Sequence, residues 1–291
     1  MNLDQALAVA ALTLSVESIV RICNEFLRGE ARSTSLNDIL MHYMNRYPTE
    51  LGSICSACLS RITFDSVACG ASRGRISVVE IPGCSKSFEI ELGEFYDEWT
   101  GCRVWPGAVH MSRMLLRGEF DVVGANVIEL GSGLGLTGIA CITAGARSVA
   151  FTEYQPTLLD ICFENAKKNT GTCCSGFVLN WSDFSYKTHA GFSNWRSEHP
   201  GDFLVVGSEL VYDETHADMV IGVLSQLFEA GARAGLIVIM LKPAREGAMK
   251  FLATLSDNKQ SVPFTCMIQE VQCEDGNVAA CIRLGRNKGV E

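Results

Sequence analysis

The stretch Val127-Ile128-Glu129-Leu130-Gly131-Ser132-Gly133-Leu134-Gly135-Leu136-Thr137-Gly138-Ile139-Ala140 constrains this chain more than any other. A short apolar run ends on an acid, breaks into glycines at alternate positions, and resumes with apolar residues at helical spacing. That pattern predicts a strand, a tight turn and a helix. Glycine suits the turn because the backbone must take positive φ and let a ligand lie against it with no Cβ in the way. The helix beginning near Leu136 then directs its free amide groups and positive dipole end into the same space.

Two cofactor classes fit such a cradle. Gly133-x-Gly135-x-x-Gly138 satisfies the dinucleotide fingerprint, and Glu153 follows at the expected distance of about 20 residues, where an acid grips a ribose. Glu129 weighs the other way. A carboxylate directly before the glycines is poorly placed for a pyrophosphate and well placed for a cationic cofactor. S-adenosyl-L-methionine carries a sulfonium and an ammonium, so it is favoured over NAD.

With 291 residues, the chain is long enough for one α/β domain with an elaboration, or for two small domains. A net charge of −9 argues against a general affinity for nucleic acid and favours a basic partner if a macromolecule is bound at all. The thirteen cysteines are odd in number, and Cys141, Cys162, Cys266 and Cys281 sit inside apolar runs as small core residues would. A reducing compartment follows, the cytoplasm with the nucleus as the alternative. Cys55-x-x-Cys58, with Cys69 and Cys84 downstream, lacks the second short spacing of a zinc set, so no metal is expected. The first apolar run is interrupted by Glu17 and Arg21, which argues against a signal peptide or a membrane span.

Residues 3–28 carry a broad apolar stripe at helical period. Ser35-Leu36-Asn37-Asp38 resembles a capping box ahead of Ile39, and Pro48 opens a third helix through Leu59. Residues 1–74 are therefore expected to be a helical extension that props the sheet's edge or, as the sharper alternative, recognises a protein partner. The period changes at Arg75–Ile81 and Ser87–Leu92, which predict a β-hairpin around Pro82-Gly83. An aromatic-rich loop from Phe95 to Gly107 opens a helix over Ala108–Leu116.

From Asn126 the chain alternates strand and helix in the manner of a parallel sheet. Arg147–Thr152 is a strand delivering Glu153, and Pro156 opens the following helix. Phe177–Asn180 is a strand ending at Trp181, and residues 182–201 read as a polar loop or short insertion. Phe203–Val206 is a strand delivering Ser208, Glu209 and Tyr212. Thr215 is expected to cap a helix to Ala230, Gly235–Leu241 is the most apolar strand, and a helix runs from Pro243 to about Leu255. Phe264–Val271 and Val278–Leu284 close the chain as a hairpin. A last strand returning antiparallel beside its neighbour distinguishes the methyltransferase sheet from a plain Rossmann sheet.

Ligands of such sheets bind outside the carboxyl ends of the strands. The candidate site therefore gathers Glu129 with its glycines, Glu153 for the ribose hydroxyls, Trp181 for an adenine face, and Ser208 with Glu209.

The combination Val104-Trp105-Pro106-Gly107-Ala108, Glu129-Leu-Gly131-Ser132-Gly133-Leu-Gly135-Leu-Thr-Gly138, Asn180-Trp181 and Gly207-Ser208-Glu209-Leu-Val-Tyr212 resembles the family 16 class I protein methyltransferases. These are the seven-β-strand lysine methyltransferases of elongation factors, chaperones and similar targets. The resemblance covers residues 75–285. It implies a Rossmann-like α/β sheet, mostly parallel with an antiparallel C-terminal strand, preceded by the helical and β-hairpin extension and with the methyltransferase domain at 75–291. It implies that Trp105, Gly131, Ser132, Gly133, Glu153, Trp181 and Ser208 line the cofactor site, and that Glu209 and Tyr212 stand beside the target side chain. The motif begins with Glu209 where the family carries Asp, a form closer to the related protein-histidine methyltransferases.

The expected activity is methylation of a protein lysine, with Glu209 orienting the incoming nitrogen and Tyr212 supplying an aromatic wall with a polar tip. Histidine is the second target. A small-molecule methyltransferase, a NAD-linked oxidoreductase and a scaffold without turnover are the competing classes, and the oxidoreductase lacks a Tyr-x-x-x-Lys or metal set. The expected partner is a basic protein, such as a translation or chaperone component, rather than nucleic acid or membrane.

Overall fold

The computed structural model describes residues 76–92, 100–172, 174–241, 246–257, 262–273 and 276–287. All of them lie in Gly74–Glu291, the second of the two units into which the chain divides. The helices expected before residue 75, Cys55, Cys58 and Cys69, and the aromatic residues 95–99 fall outside the described residues.

Two short strands come first, β1 (Ile76–Glu80) and β2 (Ser87–Glu91), paired antiparallel from Ile76↔Glu91 to Glu80↔Ser87. Alternation sets their faces: Phe88 and Ile90 of β2 are buried, while Ile76 and Val78 of β1 are exposed. A single 3-10 turn at Thr100–Cys102 leads to helix α1 (Pro106–Leu116). Strand, helix and strand then alternate through β3 (Asn126–Leu130), α2 (Leu136–Thr143), β4 (Ser148–Glu153), α3 (Pro156–Thr170) and β5 (Ser175–Val178). The second half holds α4 (Ala190–Glu198), β6 (Phe203–Ser208), α5 (Glu214–Glu229), β7 (Ala232–Leu241), α6 (Glu246–Asp257), β8 (Phe264–Gln272) and β9 (Val278–Arg286).

Strands β3 to β9 form one sheet in the order β5-β4-β3-β6-β7-β9-β8. The β5-β4-β3-β6-β7 part is parallel, and β9 runs antiparallel to both β7 and β8. β3 is the switch point: the chain moves from it to β4 on one side, and later returns to β6 on the other. All five residues of β3 are buried, as a central parallel strand requires. Its side chains alternate between two cores. Val127, with Val149, Phe151, Val206 and Val238, packs against Met111 of α1, Ile139 of α2 and Leu158 of α3. Ile128 and Leu130, with Val205 and Ile237, pack against Phe192 of α4, Val220 of α5 and Phe251 of α6.

Four expectations need correction. Residues 182–201 are not all loop: α4 lies there, because Phe192 and Trp195 at helical spacing are buried and His189 Nδ1 accepts the amide of Phe192 at 3.1 Å. Polar neighbours hid that short stripe. Helix α5 is capped by Asp213, not Thr215; Asp213 Oδ1 accepts the amides of Thr215 and His216 at 2.9 and 3.1 Å. β5 begins two residues earlier than expected, since Gly176 passes so close to the carbonyl of Phe151 that a Cβ would not fit. α1 begins at Pro106, whose fixed φ and missing amide suit the first helical position.

The hairpin is held to the domain by two asparagines one turn apart on α3. Asn165 accepts the Glu91 amide at 2.7 Å and donates to the Glu91 carbonyl at 3.1 Å. Asn169 repeats this with Glu89 at 2.9 and 2.8 Å. The i, i+4 spacing of the helix thus meets the i, i+2 spacing of the strand. Asn165 also donates to the Leu134 carbonyl at 3.1 Å, tying the hairpin to the glycine turn. Because this amide is buried, Asn165→Leu leaves backbone groups unsatisfied and is expected to lower stability by about 3 kcal/mol in urea unfolding.

Candidate active site

The glycine turn begins where β3 ends. Gly131, Gly133 and Gly135 have φ of 57°, 51° and 86°, so all three occupy the left-handed region that glycine alone adopts easily. Space is as restrictive as conformation. A Cβ on Gly133 would stand 3.0 Å from the Gly101 carbonyl, and one on Gly131 would stand 3.3 Å from the Trp181 ring. The turn is fastened to β4 by Ser132, whose amide donates to the Thr152 carbonyl at 2.9 Å and whose Oγ accepts the Thr152 amide at 3.0 Å. Ser132 is buried and holds the cradle from behind.

Glu153 ends β4 beside the turn. Its Oε2 accepts the Gly133 amide at 3.0 Å and its Oε1 accepts the Tyr154 amide at 2.8 Å. Burial raises its pKa, and the amides of Gly133, Tyr154 and Gln155 oppose that rise. Ser208, at the end of β6, lies 3.3 Å from Thr137 Oγ1 in the first turn of α2.

Glu129 shares a face of β3 with Val127 and lies beneath α2, 2 % exposed, with Gly138 against its carboxylate. Its Oε2 has no hydrogen-bond partner among the described residues. Burial pushes its pKa up to about 8, against the pull of Ser132, the Gly138 amide and Thr137. A buried carboxylate short of a donor fits a cofactor that brings cationic groups, and it is a poor neighbour for a pyrophosphate. The glycine backbone, bare of side chains, and Glu153 fit the rest of S-adenosylmethionine: amide groups at the turn, and acceptors for ribose hydroxyls.

A row of rings runs along the same edge. Trp105, directly before α1, lies 5.9 Å from Tyr212 between centroids. Tyr212 lies 6.1 Å from His216, and His216 lies 6.1 Å from Trp181, both edge-on. Arg103 sits over the Trp105 ring at 5.5 Å. Asp213, beside Tyr212, stands 3.5 Å from His216 Nδ1. Burial acts to raise the Asp213 pKa, but hydrogen bonds from Thr215 and the His216 amide, with the His216 charge, outweigh it and leave the carboxyl below its ordinary range.

The tertiary structure therefore brings Trp105 against Tyr212, sets Tyr212 and Trp181 on His216, and brings Glu153 to Gly133. It sets Glu209 apart from the surface: this residue is 2 % exposed, and its Oε1 accepts the Gly107 amide at 3.1 Å. Sequence reasoning did not single out His216, Thr137 or Gly101 as site residues. His216 had a usable signal, since it follows Asp213 at the spacing of a helix's first turn. Among the described residues no cluster of three or more His, Cys, Asp or Glu could hold a metal ion. None of the described helices is long and apolar enough to cross a membrane.

Residues 85–258, more than half of the chain, match the lysine methyltransferase family. The chain belongs to that family, and the cradle described above fits its cofactor, S-adenosylmethionine. Among curated relatives, the protein N-lysine methyltransferase METTL21A of Danio rerio is 44% identical over 55 residues, 19% of this chain and 25% of that protein. The Mus musculus METTL21A is 28% identical over 123 residues, 40% of this chain and 51% of that one. The chain thus spans about half or less of the length of these relatives. A Streptococcus mutans protein assigned as a SAM-dependent methyltransferase shares the fold at a TM-score of 0.50 and 13% identity, covering 74% of this chain and 57% of its own. A methyltransferase solved with SAH superposes equally, at 0.50 and 12% identity. The fold is that of the class I methyltransferases.

The Glu129 carboxyl makes the cofactor-free fold sensitive to pH. Its folded pKa of about 8 stands above the ordinary 4.5, so the cofactor-free fold holds a proton that the unfolded chain releases. Stability from this group is complete below pH 4.5 and is lost as pH rises toward 8. A cation binding beside it favours the ionised form and expels the proton. At pH 7, S-adenosylmethionine binding is expected to release up to about one proton, and Glu129→Gln to abolish that release. Calorimetry in buffers of different ionisation enthalpy measures it.

Proposed function

We propose that this chain is an S-adenosylmethionine-dependent protein N-methyltransferase whose acceptor is a lysine side chain. The observation that carries this reading is the row Trp105, Tyr212, His216 and Trp181 beside the glycine turn, with Asp213 at its rim. Family membership sets the chemistry, and this row is suited to the acceptor.

When bound, the cofactor supplies a methyl group already activated on a sulfonium sulfur. The protein's tasks are to hold the acceptor nitrogen in line and to favour its neutral form. A lysine has a reference pKa of about 10.4, and surroundings that replace water without supplying a counter-ion lower it. Aromatic faces do this while packing the aliphatic stem of the side chain. Asp213, half-exposed, draws a cationic side chain toward the row before it is desolvated. Gly101 faces Gly133 across a backbone-to-backbone approach, so the turn just before α1 lies against the glycine turn.

The net charge of −9 supports a basic protein segment as the partner rather than nucleic acid. In this reading the methyltransferase domain is residues 75–291, residues 1–74 are an extension to it, and the setting is the cytoplasm or nucleus.

The test is transfer of a labelled methyl group to lysine-containing basic peptides and proteins, with the modified residue located by mass spectrometry. Label on a lysine is the expected result. Label on histidine, on glutamine or on a small molecule would overturn the acceptor assignment, and cofactor binding without transfer would overturn the enzyme. Tyr212→Ala is expected to lower kcat/KM about 100-fold through loss of acceptor positioning, with cofactor affinity within a few-fold of the native protein.

A further inference from the structure

Glu209 occupies the motif position read as standing beside the target, yet its surroundings describe another task. Its backbone has φ of 57°, the one positive value outside glycine among the described residues. Such a conformation is strained for a residue with a side chain and persists where surrounding contacts require it. Its amide donates to the Val238 carbonyl at 2.9 Å, and its Oε2 accepts the Met240 amide at 3.4 Å, so both ends of the residue are fixed to β7. The side chain points inward, and its Oε1 accepts the Gly107 amide at 3.1 Å.

The Gly107 amide is one of the donors that a helix leaves free in its first turn. Trp105, the residue at the cap position of α1, does not cap the helix with its side chain, and Pro106 has no amide to give. The missing acceptor therefore comes from Glu209, 102 residues away in sequence. The fit is close enough to dictate the partner. A Cβ on Gly107 would stand 2.7 Å from Glu209 Oε1 and 2.8 Å from its Cγ, so only glycine lets the helix start approach the carboxylate.

Each side of this tie carries a ring of the acceptor row. Trp105 precedes Gly107 by two residues, Tyr212 follows Glu209 by three, and the two rings meet at 5.9 Å. We infer that Glu209 is a positioning residue: by capping α1 from the end of β6 it sets the spacing of Trp105 and Tyr212, and it acts on the acceptor only through them. What the two rings hold rests on the methyltransferase reading. The tie itself does not, and it is measurable without turnover.

The test uses the full chain carrying 5-fluorotryptophan, with the Trp105 fluorine resonance assigned through Trp105→Phe. Four variants are compared: Glu209→Gln, Glu209→Ala, Gly107→Ala, and Gly107→Ala combined with Glu209→Asp. Thermal unfolding and S-adenosylmethionine titration establish that each is folded. Gly107→Ala adds no chemistry, yet it is expected to shift the Trp105 resonance and lower kcat/KM for the acceptor about 100-fold. Shortening Glu209 to Asp in that background makes room for the methyl group and is expected to recover about tenfold. Glu209→Gln keeps one acceptor oxygen for Gly107 and is expected to fall between the native protein and Glu209→Ala.

Two results would overturn the inference. One is a Glu209→Gln protein as inactive as Glu209→Ala, with the Trp105 resonance unmoved and Gly107→Ala fully active; the carboxylate then acts on the acceptor directly. The other is an unmoved Trp105 resonance in folded Glu209→Ala, which removes the tie whether or not any protein acceptor is methylated. Absence of methyl transfer by the native protein, with the resonance shifts as expected, would instead count against the proposed function and leave the tie standing.

Discussion

The backbone of the turn between β3 and α2 is the constraint on which the site depends. Three glycines in the left-handed region reverse the chain within five residues, from the end of a wholly buried strand to the start of a buried helix. No residue with a side chain meets both demands at Gly133, where conformation and the Gly101 carbonyl each exclude a Cβ. Because β3 is the switch point, its two neighbours leave in opposite directions, and this is where open α/β sheets bind their ligands. The parallel registers bring Glu129 opposite Phe151 and Val206, so the ends of β3, β4 and β6 reach the same edge together. Glu153 and Ser208 arrive there as a consequence of pairing alone.

Two buried carboxylates at the ends of adjacent strands show how context divides one chemical group between tasks. Glu129 and Glu209 are equally buried, at 2 % exposure. Glu209 accepts backbone amides from the start of α1 and from β7, which offset the loss of hydration. Glu129 has an oxygen that no donor meets at good hydrogen-bond geometry, and desolvation, opposed only in part by Ser132, the Gly138 amide and Thr137, raises its pKa to about 8. The first arrangement stabilises the fold around the site. The second leaves an acceptor in reserve, the condition under which a cationic ligand contributes most on binding.

The cysteines fit the same physical picture. Cys141, Cys162 and Cys281 are buried, with burial raising each thiol's pKa, so they behave as small apolar groups. Cys266 is only half-buried and donates to the Leu255 carbonyl at 3.5 Å. Cys162 also fixes the glycine turn from below, since a Cβ on Gly135 would stand 2.5 Å from its sulfur.

The strand–turn–helix, the alternation that builds the sheet and the residues at the strand ends were legible because each is written in adjacent residues. Glycine spacing, apolar runs and an acid at a strand end are local signals, and local dihedral preferences act on them directly. Helix α4 was not legible, since only Phe192 and Trp195 mark it and their burial depends on Phe203 in a later strand. Nor could the sequence tell that Glu209 turns inward toward Gly107, or that Trp105, Tyr212, His216 and Trp181 stand in a row. Those positions span more than 100 residues, from Trp105 to His216. The sequence by itself determined the cofactor cradle, whose geometry is a property of consecutive backbone torsions. Only the tertiary structure decided the row of rings beside it, because there distant segments share one space and each side chain's direction is set by what the others leave open.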